Sequence, residues 1–459
     1  MINQYLSNPR EFIRKLRTNK QLNQKIISTY SEGLLKGYCV FGFPVFLKQI
    51  NPNFKKKLFV YSVPLLSLKR KAPNSNPIKH EDEERSPRLY ISLGSLPYFD
   101  NRSGIPRVAK NLCYEGLKCR VRDCIPVYPD PVSGKYRVAY QWCKNQSLSI
   151  SALPNVSSDE EITVKSGDWL IHTMINANEL EYEQSYLDSF RKEGGNVGFV
   201  LHDIIAEEHP EFFKARDHRL FAKWLRMIVQ ADGLFAISES TKQAFLSWAQ
   251  KEGISKLPSC EVFHLGVDFS RLEKAACTYE LPRELKETPY FLQVSTIEPR
   301  KGYAQLLDVF EKLWSQGTMS NLVFVGRQGW CMKPLIRRIK THPQLNQHLF
   351  WFNGVGDEQL LALYRSAKGV VVASEAEGFG LSVIEGQYFK KPVIARDIPV
   401  FREIGKDAIS YFKTQEDLAI KIEDLLKNNE SIQSQSVNWI TWEQSFYNLL
   451  DCIQRIQKK

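Results

Sequence analysis

The sequence predicts an α/β protein built as two doubly wound halves that face each other across a crevice. Three observations predict it. From residue 88 onward, short apolar runs alternate with stretches of helical periodicity, as expected for parallel sheets covered on both faces. The alternation lapses over residues 268–288 and then restarts, which divides the body of the chain in two. The length of 459 residues, 43% hydrophobic and 12% aromatic, suits two to three domains with packed cores.

Residues 1–71 hold fourteen Lys or Arg against only Glu11 and Glu32, so the net charge of +11 resides there. The near-neutral remainder argues against nucleic-acid binding by the main body. Such a basic segment either meets an anionic surface, most simply acidic lipid headgroups, or packs on the body with its basic face in water. Residues 37–46 are apolar and aromatic but short, and no run anywhere reaches the roughly 18 apolar residues of a membrane span. The start of the chain lacks the parts of a secretory signal. Nine scattered cysteines with no CxxC read as reduced thiols. The expected location is cytoplasmic, or peripheral on the inner face of a membrane. Residues 71–88, rich in Pro, Asn, Ser and charges, read as a linker.

The first half then reads as strand 88–93, helix 105–117, strands 121–128 and 168–174, helix 180–191, strand 197–201, helix 219–230, strand 233–237 and helix 240–250. The second half reads as strand 290–295, helix 304–314, strand 322–325, helix 334–340 and strand 349–352. Asp357 is the expected N-cap of a helix running to residue 367, before strand 369–373, a further helix and strand 392–395. Residues 439–456 form a last amphipathic helix. The expected divisions are 1–87, 88–270, 271–436 and 437–459.

The most informative stretch runs from Ser374 to Glu385. A glycine-rich turn joins strand 369–373 to a helix, with Glu377 in the turn and Glu385 one turn into the helix. The N–H groups of Phe379, Gly380 and Leu381 open that helix, and with the helix dipole they make an anion site. Gly378 and Gly380 admit close approach by a ligand. A phosphate seat flanked by two carboxylates that accept from hydroxyls describes a nucleotide sugar. A second strand exit, Glu298-Pro-Arg-Lys-Gly302, places Arg300 and Lys301 beside the crevice, where cations suit a departing diphosphate. Arg300 equally fits an ion pair with Glu298. Arg327, past strand 322–325, is placed to approach phosphate or base, and Trp330 reads as packing.

Two glutamates eight positions apart within Glu377-Gly-Phe-Gly-Leu-Ser-Val-Ile-Glu385, together with the 298–302 segment, resemble retaining glycosyltransferases of family 4, in the version carried by mannosyltransferases. The resemblance covers residues 88–459 and implies the GT-B fold: two Rossmann-like doubly wound domains, here with a basic N-terminal extension. It implies that Lys301 and Arg300 hold the donor diphosphate, that Glu385 accepts from the ribose diol, and that Glu377 faces the transferred sugar and its anomeric carbon. It implies that the loop to Val355 lines the base pocket, that Gly104 lets the first loop pass close to the phosphates with Arg107 adding charge, and that His202 bonds a sugar hydroxyl. Ser238 is expected at the crevice; His172, at a strand end, either lines the acceptor side or is a satisfied interior histidine, and His209 reads as a satisfied interior histidine. Many relatives carry an arginine near position 295, where this chain has Ser295 and Thr296, so Lys301 and the helix dipole carry more of the load.

The implied activity is transfer of a hexose, mannose favoured, from a nucleoside diphosphate sugar to a saccharide or lipid-linked acceptor in surface polysaccharide synthesis. No D-x-D occurs, so neither a metal nor a cofactor is expected. A non-catalytic scaffold, or a sugar-nucleotide hydrolase, epimerase or phosphorylase on the same fold, remain the alternatives.

Overall fold

The computed structural model describes residues 37–40, 43–46, 85–98, 100, 103–130, 133–146, 159–175, 177, 180–270, 279–427 and 439–458. The basic segment and linker lie outside these residues, apart from residues 85–88 and the backbone of one antiparallel hairpin, β1 (Gly37–Val40) with β2 (Phe43–Phe46). Among the described residues no helix is long and apolar enough to cross a membrane, and Cys113, Cys119, Cys124, Cys143, Cys260, Cys331 and Cys452 are free.

Two sheets organise the body. The N-terminal sheet holds β3 (Leu89–Ser92), β4 (Cys124–Asp130), β5 (Lys135–Val138), β6 (Trp169–His172), β7 (Asn196–Leu201), β8 (Gly233–Ala236) and β9 (Cys260–Val262). Their order is β5-β4-β3-β6-β7-β8-β9, with only the β4–β5 pair antiparallel. The C-terminal sheet holds β10 (Tyr290–Val294), β11 (Asn321–Val325), β12 (Leu349–Phe352), β13 (Gly369–Val372), β14 (Val393–Arg396) and β15 (Ser410–Phe412). It is wholly parallel, in the order β12-β11-β10-β13-β14-β15. Helices follow the strands and cover the sheets, so β3, β6, β8, β11 and β13 are buried throughout. That burial is why they read in the sequence as unbroken apolar runs. Both halves reverse their strand order at the first strand, β3 or β10, and in such sheets ligands sit beyond the strands' carboxyl ends near that reversal.

The last helix, Trp442–Gln457, begins three residues later than the periodicity suggests, at a capping box in which Thr441 and Gln444 each bond the other's backbone N–H. It crosses back onto the N-terminal lobe. Ser445 donates to the His264 carbonyl at 2.7 Å, and Ile456 and Phe446 pack where Gly233 and Gly116 leave room.

Three expectations need correction. The strand expected at 121–128 starts at Cys124, because the chain must turn after the helix Gly104–Lys118; Val121 lies in that turn and is exposed. The N-cap of the helix Asp357–Ser366 is Gly356, in extended backbone, and Asp357 is the first helical residue, where its charge favours the dipole. The stretch 268–288 contains a short helix, Arg283–Glu287.

Candidate functional site

Because β10 and β13 are hydrogen-bonded neighbours, the turns that follow them lie side by side. The Glu375 N–H donates to the Arg300 carbonyl at 2.7 Å and locks the two turns together. Glu377 thereby comes to rest between two cations. Its Oε2 accepts from Arg300 at 2.8 Å, and its Oε1 meets Lys301 Nζ and accepts from Ser374 Oγ at 3.0 Å. Burial alone would raise the Glu377 pKa, but Lys301 and Arg300 outweigh it and bring the carboxyl down to about 2. Glu377 is therefore ionised at neutral pH.

Arg300, expected beside a diphosphate, is committed to protein partners. Nη1 also donates to the Ala376 carbonyl at 2.7 Å, and Nη2 pairs with Glu298 at 2.8 Å. The alternative of a Glu298 partner is thus the observed one, though the pair is buried rather than on the surface. Desolvation would lower the Arg300 pKa, but Glu377, Glu298 and Asp203 raise it, so the guanidinium stays charged. Glu298, unlike Glu377, has its pKa raised: burial raises it more than Arg300 and Lys301 lower it. Lys301 pairs with Glu377 alone among these carboxylates.

Glu385 lies on the helix Leu381–Tyr388, 2% exposed. Its Oε2 accepts from Tyr364 Oη at 2.5 Å, and its Oε1 is paired with Arg107 from the opposite lobe. Arg107 in turn lies over the Phe269 ring, 5.2 Å from its centroid. So the carboxylate expected to accept from a ribose diol already holds one partner on each oxygen. Each oxygen keeps a second lone pair for a ligand hydroxyl.

Gly104 opens the helix Gly104–Lys118, and a Cβ there would sit 3.9 Å from Leu381 Cδ1. Two helix starts therefore abut, neither with an acidic residue in its first turn. Their dipoles point positive ends into the same space, the disposition that suits an anion. Gly380, the N-cap of the second helix, has φ +98°, a left-handed conformation that glycine adopts without strain. Phe379 is buried and leans on His264.

The opposite wall comes from the N-terminal lobe. His202 ends up beyond β7, 3% exposed, with Nε2 at 2.8 Å from the Thr173 carbonyl. Burial lowers its pKa further than Thr173 and Asp203 raise it, so the ring is neutral, Nε2 carries the proton and Nδ1 is an acceptor. His172 is an interior residue, between Tyr136 Oη at 3.0 Å and Glu183 at 2.9 Å. His209 pairs with Glu211 at the surface. Ser238 Oγ caps the helix Glu239–Lys251 and donates across the cleft to the Gly378 carbonyl at 2.7 Å. Trp330 packs as expected: it stacks on Phe213 and donates Nε1 to the Phe212 carbonyl at 2.7 Å, tying the lobes together. Arg327 and the loop to Val355 leave β11 and β12 side by side, with the Arg327 guanidinium against Gly354 and Val355 packed on the core. They lie at carboxyl ends of the same sheet as Lys301.

Several residues here escaped the sequence reading: Tyr364, Phe269, Asp203, Thr241 and Glu403. Glu403 accepts from the Glu239 and Ser240 N–H groups at 2.7 and 2.9 Å and from His264 at 2.8 Å, all in the opposite lobe. No local pattern marks any of them, because their partners lie far off in the chain.

Residues 281–439, which hold the whole C-terminal sheet, match the family model described as Glycosyl transferases group 1. They form a glycosyltransferase group 1 domain. Glu377, Glu385, Arg300 and Lys301 all lie within this group 1 domain, whereas Gly104, Arg107 and His202 belong to the lobe that faces it. The serotype-specific mannosyltransferase WbdA of Escherichia coli is 35% identical over 384 residues, covering 80% of this chain and 46% of WbdA. The chain thus spans about half the length of that relative. The O-antigen chain mannosyltransferase RfbU of Salmonella typhimurium is 26% identical over 217 residues, 47% of this chain and 56% of RfbU. Among solved structures, Anabaena Alr3699/HepE in complex with UDP and glucose superposes with a TM-score of 0.53 at 14% identity, covering 80% of this chain and all of that one. The fold is GT-B, with the group 1 domain as its second lobe.

Proposed function

We propose that the protein moves a mannosyl group, with retention, from GDP-mannose to a saccharide or lipid-linked acceptor in the synthesis of a surface polysaccharide. One observation carries this reading: an ionised Glu377 in contact with Lys301, beside two abutting helix starts, in a chain 35% identical to a mannosyltransferase over most of its length.

The geometry supports the following roles. The diphosphate takes Lys301 Nζ and the helix start at 379–381, and gains charge as the bond from the anomeric carbon to phosphate oxygen breaks. Released from Lys301, Glu377 stays fixed by Arg300 and faces the positive charge that develops on the sugar. Glu385 takes the ribose hydroxyls, and the loops carrying Arg327 and Val355 flank the base. His202 Nδ1 accepts from a sugar hydroxyl. The acceptor oxygen bonds the anomeric carbon on the same face, and its proton passes to the departing phosphate oxygen. The protein acts at the cytoplasmic side of a membrane, which residues 1–71 approach by charge, and it needs neither metal nor cofactor.

A donor screen on the purified protein, followed by NMR of the product's anomeric proton, tests the reading. GDP-mannose turnover to an α-linked product is expected; turnover of another donor alone, or an inverted product, overturns it. Loss of residues 1–71 is expected to weaken binding to anionic vesicles, and unchanged binding removes the membrane role.

A further inference from the structure

Resting on the reading of Glu377 as the group that faces the anomeric centre, we propose that Ser238 and Thr241 are positioning residues for Glu377, setting it for chemistry only when the lobes are closed.

Glu377 stands between two peptide carbonyls, and each is held from a different lobe. The Ala376 carbonyl accepts from Arg300 at 2.7 Å, within the C-terminal lobe. The Gly378 carbonyl accepts from Ser238 Oγ at 2.7 Å and Thr241 Oγ1 at 3.1 Å, both from the N-terminal lobe. The protons suffice for this. Ser238 Oγ accepts the Thr241 N–H at 3.0 Å and also lies 3.0 Å from Thr241 Oγ1; its one hydrogen goes to the shorter contact, Gly378 at 2.7 Å, Thr241 supplies the second, and a carbonyl oxygen has two lone pairs. Ser238 is fully buried and Thr241 nearly so, where a lost partner is not replaced by water.

The approach of the lobes is close enough to exclude any side chain. A Cβ on Gly378 would lie 1.9 Å from the His202 carbonyl oxygen. The turn that carries Ser238 and Thr241 is itself docked on the C-terminal lobe, because Glu403 accepts from the next two N–H groups, of Glu239 and Ser240. One helix start thus grips the opposite lobe twice, once at the Gly378–Phe379 peptide, one residue beyond Glu377. With the lobes apart, that peptide loses both hydroxyl donors and is free to rotate between Glu377 and Gly380. A misplacement on the order of 1 Å at a reacting group costs about a hundredfold in rate. Donor contacts come mainly from the C-terminal lobe, so loss of the hydroxyls strikes turnover rather than donor affinity.

The test uses the full chain as Thr241→Val, Thr241→Ser, Ser238→Ala/Thr241→Val and Glu377→Gln, assayed for GDP release from GDP-mannose with a mannose oligosaccharide and titrated with GDP. Thr241→Val should lower kcat several-fold and the double variant by about 30- to 100-fold, with the Kd for GDP within about threefold of wild type and Thr241→Ser near the wild-type rate. Wild-type kcat in the double variant overturns the proposal, as does a kcat loss matched by an equal loss of GDP affinity. Ser238→Ala also removes a helix cap; if the double variant fails to fold, Thr241→Val, which keeps cap and shape, decides by the same criteria. The two readings fail separately: unaffected hydroxyl variants beside an inactive Glu377→Gln reject this inference alone, whereas an active Glu377→Gln rejects the site.

Discussion

Lys301 and Glu377 lie 76 positions apart in the chain, yet their charged ends meet where β10 and β13 leave the sheet. The pairing of those strands brings the cation and the carboxylate together, and Arg300 keeps the carboxylate in place from its other side. The cluster of Lys301, Arg300, Glu377 and Glu298 is thus internally neutralised.

Glu377→Gln keeps the side chain's shape and removes its charge. Turnover of GDP-mannose should fall by at least about a hundredfold while the Kd for GDP changes little, because the charge is needed when the sugar turns cationic. Steady-state kinetics with a parallel GDP titration check this.

Acid should loosen the site. Folding takes the Glu377 pKa from its ordinary 4.5 to about 2, so the folded chain binds fewer protons than the unfolded one between those values. This carboxylate stabilises the fold by about 3 kcal/mol above its unfolded pKa, and that contribution is lost as pH falls through the interval. Glu403 acts in the same direction: burial raises its pKa, but His264 and the Ser240 and Glu239 N–H groups lower it further. Denaturant titrations should show stability falling below about pH 4.5. In Glu377→Gln the fall should be shallower.

Arg107→Ala leaves Glu385 buried with only Tyr364. Since Arg107 is about one third exposed, the cost should be about 1–3 kcal/mol, less than for a wholly buried pair. A thermal melt measures it, and an unchanged Tm would show that the contact between the lobes contributes nothing.

Gly378→Ala puts a methyl where the His202 carbonyl already stands, 1.9 Å away. The lobes must then separate or the turn must move. GDP should still bind through the C-terminal lobe, while turnover is lost.

Most of the fold was legible because its strands are buried on both faces and its helices are amphipathic, as in β7, β13 and the helix Tyr303–Ser315. Three of the four edge strands were not: β5, β9 and β15 are short and half exposed and lack an apolar run, whereas the fourth, β12, has one and was readable. The helices Pro399–Gly405 and Gln415–Lys427 were passed over as well. In the site, Glu377, Lys301 and Glu385 stood out because glycines and strand exits flank them. Their partners did not. The Arg107 contact with Glu385 spans 278 positions, and that of Ser238 with Gly378 spans 140; only the docking of one lobe on the other creates them. Arg300 illustrates the limit. Its place beside the crevice and its pair with Glu298 were readable, but its contacts with Glu377 and the Ala376 carbonyl were not, and those contacts decide that it orients Glu377.

The central claim is that Lys301 and Glu377 form one donor site. The most direct test measures GDP affinity and GDP-mannose turnover together in wild type and Lys301→Ala. Both should fall by at least about tenfold in the variant, with its far-ultraviolet circular dichroism unchanged. Equal affinity and equal turnover in the two proteins would contradict it.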